Sequence, residues 1–379
     1  MLNMKRYLEG KIRDDLGEKM VFLGGPRQVG KTTLALGLLP GADERHPAYL
    51  NWDSLPARRS LLAGELPSDE KLLILDEVHK YKAWRNLVKG FYDTHKSSRS
   101  FLVTGSARLD HYRRGGDSLQ GRYHYHRLHP LSLQELSTAP TQHDLEQLLT
   151  FGGFPEPFLK ASRRHWLRWQ NEHTSRVIQE DLFSLEHVKE VSQMELLASV
   201  LPERVGSPLS VNNLRTDLCV AFETADRWIT ILENLYYCFR ITPFGVPRLR
   251  AATKERKLYL WDWSLCEKES ARFENIVASN LLKFCHYHED SFGEPLSLHF
   301  LRDSEGREID FVVLKNKMPL FAVECKTGEQ ALSRHISYFA TRTNIPHFYQ
   351  VHLGTKDYEV AQAKARVLPF TTFSGILGV

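Results

Sequence analysis

Lys31 and Thr32 end an eight-residue stretch, Gly25-Pro26-Arg27-Gln28-Val29-Gly30-Lys31-Thr32, whose composition and spacing suit it to hold phosphate. The glycines let backbone N–H groups curve around an anion, Lys31 can reach the β and γ phosphates of a nucleotide, and Thr32 offers a hydroxyl to Mg²⁺. Thr33 opens the helical pattern that follows and completes the set expected to contact ATP. Further along, Asp76 and Glu77 end the apolar run Leu72-Leu73-Ile74-Leu75. Asp76 is suited to hold Mg²⁺ through its water shell, and Glu77 to polarise an attacking water. Thr104, at the end of Ser100-Phe101-Leu102-Val103, is the first choice for a polar group that orients water beside the γ phosphate, with Ser106 second. Arg122 sits where a subunit can offer a positive charge to its neighbour. The expected catalytic set is therefore Lys31, Glu77, Thr104 and Arg122, with Thr32 and Asp76 serving the magnesium of ATP.

These side chains need a scaffold that brings them to one edge. Val21-Phe22-Leu23-Gly24 reads as a strand that delivers the phosphate loop, and Thr33-Leu34-Ala35-Leu36 as the helix that leaves it. In that order the positive end of the helix faces the phosphates. The runs ending at Gly24, Asp76 and Thr104 are continuously apolar rather than alternating, which predicts a parallel sheet covered on both faces.

Taken together, Gly25 to Thr32, Leu72 to Glu77, Thr104-Gly105-Ser106, Gly121-Arg122, Pro130-Leu131-Ser132 and Gly152-Gly153-Phe154-Pro155-Glu156 resemble a family of prokaryotic AAA-type ATPases that carry a C-terminal domain of unknown function. The resemblance covers essentially the whole chain and is strongest up to residue 156. It implies an AAA+ core acting in a ring, taken here as a hexamer, with Arg122 at the arginine-finger position. Such a finger contributes about 10³ to 10⁵ in rate in related phosphoryl transfer.

Residues 160–188 form a long helical pattern with interleaved arginines and tryptophans, read as an amphipathic lid. Residues 194–243 then run helix, short helix, longer helix, the layout of a helix-turn-helix domain. Two alternating strands follow, with Arg248, Arg250, Lys254, Arg256 and Lys257 at the tip between them. That predicts a winged helix whose basic wing contacts DNA phosphates, with Arg227 on the longer helix approaching a groove. In the last third, Glu274 on a helix, Asp310 on one strand and the pair Glu324 and Lys326 on the next resemble the PD-(D/E)xK core of restriction-endonuclease-like proteins. The resemblance implies a second Mg²⁺ site on those carboxylates, with Lys326 steadying the attacking water.

At 379 residues the chain exceeds what one hydrophobic core usually serves. The expected division is an AAA+ core over 1–140, a helical lid or connector over 141–190, a winged helix-turn-helix over 191–264 and a nuclease-like domain over 265–379. The fold class is α/β: a P-loop AAA+ core with a parallel sheet, then the winged helix-turn-helix, then an α/β restriction-endonuclease-like domain. A net charge of +4 neither demands nor excludes nucleic acid. Five scattered cysteines show neither zinc-ribbon nor disulfide spacing. No apolar run is long enough to span a membrane, and the charged start carries no export signal, so no membrane partner and a cytoplasmic location are expected. The leading functional expectation is a DNA-binding ATPase that forms an oligomeric ring and couples ATP turnover to remodelling or translocating DNA. One alternative is a metal-dependent DNA nuclease of repair or defence licensed by nucleotide. Another is a nucleotide-dependent switch or adaptor that grips a protein partner.

Overall fold

The computed structural model describes residues 4–41, 43–105, 119–177, 191–245 and 256–379. The chain divides into two compact units, residues 1–130 with 234–236 and residues 131–233 with 237–379.

The N-terminal unit is built on five strands: β1 (Met20–Gly24), β2 (Tyr49–Asn51), β3 (Leu72–Asp76), β4 (Ser100–Thr104) and β5 (Tyr123–Arg127). They lie in the order β2-β3-β4-β1-β5, every neighbouring pair parallel. Strands β1, β3 and β4 are buried almost throughout, as their uninterrupted apolar sequences require. Edge strand β5 is Tyr-His-Tyr-His-Arg and mostly half-buried. Because the strands are parallel, their C-terminal ends share one edge, where ligands of such sheets bind. The phosphate loop follows β1 there, Asp76 and Glu77 end or follow β3, and Thr104 ends β4. In register, Leu23 pairs with Thr104 and Thr104 with Asp76, so the motifs separated in sequence become neighbours.

The C-terminal unit holds a mixed sheet of nine strands. They are β6 (Pro208–Leu209), β7 (Cys238–Pro243), β8 (Arg256–Leu260), β9 (Leu296–Arg302), β10 (Glu308–Lys315), β11 (Met318–Lys326), β12 (Phe348–His352), β13 (Tyr358–Val360) and β14 (Ala365–Pro369). Their order is β13-β14-β12-β11-β10-β9-β7-β8-β6. Helices Val191–Val200, Val211–Asp217 and Phe222–Asn234 precede an antiparallel β7–β8 hairpin, and β6 adds to the far side of β8. Ser210 caps the second helix, its hydroxyl accepting from the Asn213 N–H at 3.3 Å. The sequence separates 191–264 from 265–379, yet the two share this sheet because β7 pairs in parallel with β9 through Thr242 and Pro243. An edge that a free hairpin would leave open is thereby covered.

The helix Glu269–Phe292 runs 24 residues across this unit. Asn275 ties it to β8, its amide accepting from Leu260 N–H at 2.9 Å and donating to Leu260 C=O at 2.7 Å. Further along, the Lys283 ammonium binds Ser132 Oγ at 2.7 Å and the Glu135 carboxylate, the two residues that form the capping box of helix Leu133–Leu136. Both charged side chains are at least 97 % buried. Among the described residues, no helix is long and apolar enough to cross a membrane. A buried ion pair stripped of one partner leaves an uncompensated charge. Lys283→Ala should therefore lower the unfolding free energy by about 3–5 kcal/mol, read as a fall in the urea midpoint. The apolar pair Lys283→Met with Glu135→Leu should cost less. Equal losses from the two variants would mean that the site matters as volume and not as charge.

Candidate functional site

The phosphate loop begins with a residue that must be glycine. Gly25 has φ 148°, and a Cβ there would lie 2.4 Å from the Leu128 carbonyl oxygen. At its other end Gly30 caps the helix Lys31–Gly37 with φ 97°, a left-handed conformation that turns the chain sharply into the first helical N–H groups. The Lys31 ammonium is buried and lies along the loop, donating to Gly25 C=O at 3.0 Å and Pro26 C=O at 2.7 Å. Arg6 braces the loop from outside the motif. Its guanidinium donates to Val29 C=O at 2.8 Å and to His129 C=O at 2.5 Å, and it is 94 % buried.

Asp76 is the centre of the site. One carboxylate oxygen accepts from the Thr104 hydroxyl, and the other accepts from Thr32 Oγ1 at 2.9 Å and Tyr49 OH at 2.6 Å. Burial, followed by the charge of Asp76, raises the Tyr49 phenol further above its ordinary range, which keeps it a donor. Thr32 and Asp76 bring two hard oxygen donors together, so they fit a magnesium ion. Held there with a nucleotide, such an ion would supply neutralisation of phosphate charge.

Glu77 adopts φ 56°, outside the ordinary range for a side-chain-bearing residue, and its N–H donates to Thr104 C=O at 3.1 Å. Its Oε2 is buried with no hydrogen-bond donor. Lys80 Nζ lies 3.5 Å away while bound to Asp53 at 2.6 Å, and the ring of His79 lies at 3.8 Å. Burial lowers the pKa of His79, and the Glu77 charge offsets this only in part. His79 is thus a neutral ring beside the carboxylate at neutral pH.

Lys31, Thr32, Asp76, Glu77 and Thr104 therefore meet at the C-terminal edge of the sheet. Arg122 lies at its N-terminal edge, just before β5, with Nε 2.8 Å from Asp93. Ser106 lies outside the described residues. Sequence reasoning missed Tyr49, His79 and Arg6. Arg6 and Tyr49 act across the fold from positions with no motif around them, and only the parallel register of β2 against β3 brings Tyr49 near Asp76, whereas His79 follows Glu77 by two residues and its burial gave no sequence signal.

The C-terminal unit contains a second concentration of charge. Lys257, expected at the tip of a DNA-binding wing, is instead wholly buried. Its Nζ lies 2.5 Å from Glu308, 3.4 Å from Glu274 and 3.7 Å from Asp310. The physical reason is that β8 lies between β6 and β7 and is buried on both faces after Arg256. Burial pulls the Lys257 ammonium down, but Glu274, Asp310 and Glu308 outweigh it and hold its pKa above the ordinary value. Glu274 also accepts from Tyr259 OH at 2.7 Å, and the second oxygen of Asp310 accepts from Cys325 N–H at 2.8 Å. Glu324 pairs with Lys326 at 2.8 Å. Among the described residues, no three His, Cys, Asp or Glu side chains come together as metal ligands. With an ammonium held among Glu274, Glu308 and Asp310, these residues do not fit the second magnesium site expected on Glu274, Asp310, Glu324 and Lys326. Of the other wing candidates, Arg227 is exposed and Arg256 half-buried, while Arg248, Arg250 and Lys254 lie outside the described residues.

The sheet order and loop geometry place a phosphate loop, with a helix leaving it, at the C-terminal edge of a parallel sheet. Residues 17–137 match the family model described as AAA domain. Residues 142–273 and 269–373 match two models described as domains of unknown function, DUF8612 and DUF4143. Curated relatives include uncharacterized proteins of Mycobacterium tuberculosis and Mycobacterium bovis, each 25 % identical over 351 residues, covering 88 % of this chain and 76 % of theirs. Among solved structures, the Aeropyrum pernix ORC1 protein in complex with DNA aligns at 14 % identity, over 74 % of this chain and 95 % of that one, with a TM-score of 0.35. The Thermotoga maritima RuvB Holliday junction branch migration motor aligns at 20 % identity over 61 % and 84 %, with a TM-score of 0.29.

The buried carboxyls make a pH prediction. Burial and then the Asp310 charge push Glu274 up to about 7, and the same causes act on Glu324. A carboxyl with a folded pKa above its ordinary 4.5 binds more protons folded than unfolded, so its contribution is full below that value and lost as pH rises through about 7. Unfolding free energy should thus fall between about pH 4.5 and 7, and Glu274→Gln should flatten part of that fall in urea titrations. An unchanged slope in the variant would contradict the assignment.

Proposed function

We propose that this chain binds ATP with magnesium and hydrolyses it. The observation that carries the reading is the meeting of Lys31, Thr32, Asp76 and Thr104 beside a Glu77 carboxylate oxygen that has no hydrogen-bond donor. A carboxylate oxygen with no hydrogen-bond donor is open to accept from a water held in line with the γ phosphate, and the Thr104 hydroxyl can orient that water. Lys31 exchanges the loop carbonyls for phosphate oxygens. Steady-state hydrolysis tests this directly. Glu77→Gln should lower turnover by about 10²–10⁴ while leaving ATP affinity within a few-fold, and Lys31→Ala should abolish both. Normal turnover in Glu77→Gln would remove Glu77 from the mechanism.

We further propose that turnover is coupled to DNA in an oligomeric ring, a hexamer, located in the cytoplasm. What supports DNA is the run of three helices and a β-hairpin over 191–260, read as a winged helix-turn-helix, with Arg227 exposed on its longest helix. What supports a ring is Arg122, whose partner Asp93 lies at the surface, where such pairs are weak enough to exchange for a neighbour's γ phosphate. The nuclease reading is not taken up, because Lys257 occupies the middle of the carboxylates it needs. ATP turnover measured with single-stranded, duplex and branched DNA should rise with at least one of them. Turnover unmoved by every form, with no DNA shift at low salt, would favour a nucleotide-dependent switch that binds a protein.

A further inference from the structure

We propose that the N-terminal unit carries a second anion site, for a phosphate group, at the end of its parallel sheet opposite the phosphate loop. The chain turns into β1, β3 and β4 at this end, and these turns enclose a hollow of about 260 Å³. Lys19, Lys71, Lys96 and Arg99 all line it, against one acid, Glu18. Glu18 has its own basic neighbour, with His124 Nε2 3.9 Å from its carboxylate. Strands of five residues separate this hollow from Lys31 and Asp76 by about 16 Å, so it is not part of the nucleotide site.

Two further observations give the hollow an anion's chemistry. Four cations drawn together with a single carboxylate repel one another, and a bound anion removes that cost. Arg99 also has a fork only partly used. It donates through one terminal nitrogen to Ser68 C=O at 3.2 Å, while the other, Nη1, is closed to solvent and has no acceptor. Nη1 reaches an anion only when the side chain turns into the hollow, and a tetrahedral oxyanion there offers acceptors that the guanidinium and the rotating ammoniums of the lysines can share. Serine hydroxyls at positions 97, 98 and 100 complete a polar lining. The volume exceeds that of one phosphate and leaves room for an attached sugar, which suits a nucleic-acid backbone as well as a free polyphosphate.

The test uses the full-length chain with its phosphate loop saturated by Mg-ADP, so that binding there does not contribute. Calorimetric titration with inorganic pyrophosphate forms one arm. The other is a twenty-nucleotide single-stranded DNA without terminal phosphates, titrated at several salt concentrations. The variants are Arg99→Ala and, in case that change disturbs the turn it braces, the exposed double reversal Lys71→Glu with Lys96→Glu. The expected result is at least a tenfold loss of affinity in both variants for one titrant, with ADP binding and melting temperature unchanged. Loss in the DNA arm, with a salt slope shallower by about 1 or more, assigns the site to backbone phosphates. Loss confined to pyrophosphate assigns it to a small free anion. If neither titrant binds, or if both variants bind as the parent does, the proposal is overturned.

Discussion

The Asp76 carboxylate sets the geometry of the N-terminal unit. It is buried at the end of a central strand, where an ionised oxygen pair is tolerated only if it is well supplied with donors. Three hydroxyls supply them: Thr32 from the helix after the phosphate loop, Thr104 from β4 and Tyr49 from β2. One charge thus fixes the relative positions of two strands and the loop that flank it. Removing any donor leaves the same charge less well solvated, and the cost would appear as displacement of the loop as much as lost stability. Arg6 works by the same logic from the opposite sign, a buried cation that holds the carbonyls of Val29 and His129 and so limits where the loop can go.

The C-terminal unit solves a comparable problem in reverse. Glu274, Glu308 and Asp310 come from a helix and a strand of one sheet, and the charge that makes their proximity tolerable is Lys257 from β8. A divalent cation could do the same electrostatic work, and in a nuclease of this resemblance it would. Here the compensating charge is covalently part of the fold, at a position buried on all sides. The carboxylates and the ammonium then act together as a structural element that joins the β7–β8 hairpin to the rest of the sheet, a role the parallel pairing of β7 with β9 also serves.

What was legible in the sequence divides along physical lines. The phosphate loop, Asp76, Glu77 and Thr104 were readable because each belongs to a contiguous segment whose local backbone requirement, glycines or an unbroken apolar strand, is written beside the functional residue. Tyr49 and Arg6 were not, because their partners are distant in sequence and their side chains are of ordinary type for a strand and a terminus; His79 was not, because nothing local says that a turn histidine beside Glu77 is buried. Lys257 shows a different limit. In Arg256-Lys257-Leu258-Tyr259-Leu260 the alternation is consistent with a wing whose charged residues face solvent. Whether the second position faces water or carboxylates depends on what lies across it, and Glu274 and Glu308 are supplied by segments that no local pattern connects to β8.

Glu77 carries the remaining tension in the site. Its positive φ costs energy that a glycine at that position would avoid, and its buried oxygen forgoes the donors that every other acidic group around it has found. The fold enforces this, because the Glu77 N–H is tied to the Thr104 carbonyl in continuation of the β3–β4 pairing, and that bond fixes the direction in which the side chain leaves. Lys80 stands close enough to satisfy the carboxylate but is drawn away by Asp53. His79, kept neutral by burial, shields one side without donating to it. An acid that served only to stabilise the fold would relax toward Lys80. Here the Lys80 ion pair is loose, at 3.5 Å, and one oxygen of a strained residue next to the buried Asp76 accepts no hydrogen bond, which is the geometry on which the proposed hydrolytic role of Glu77 rests.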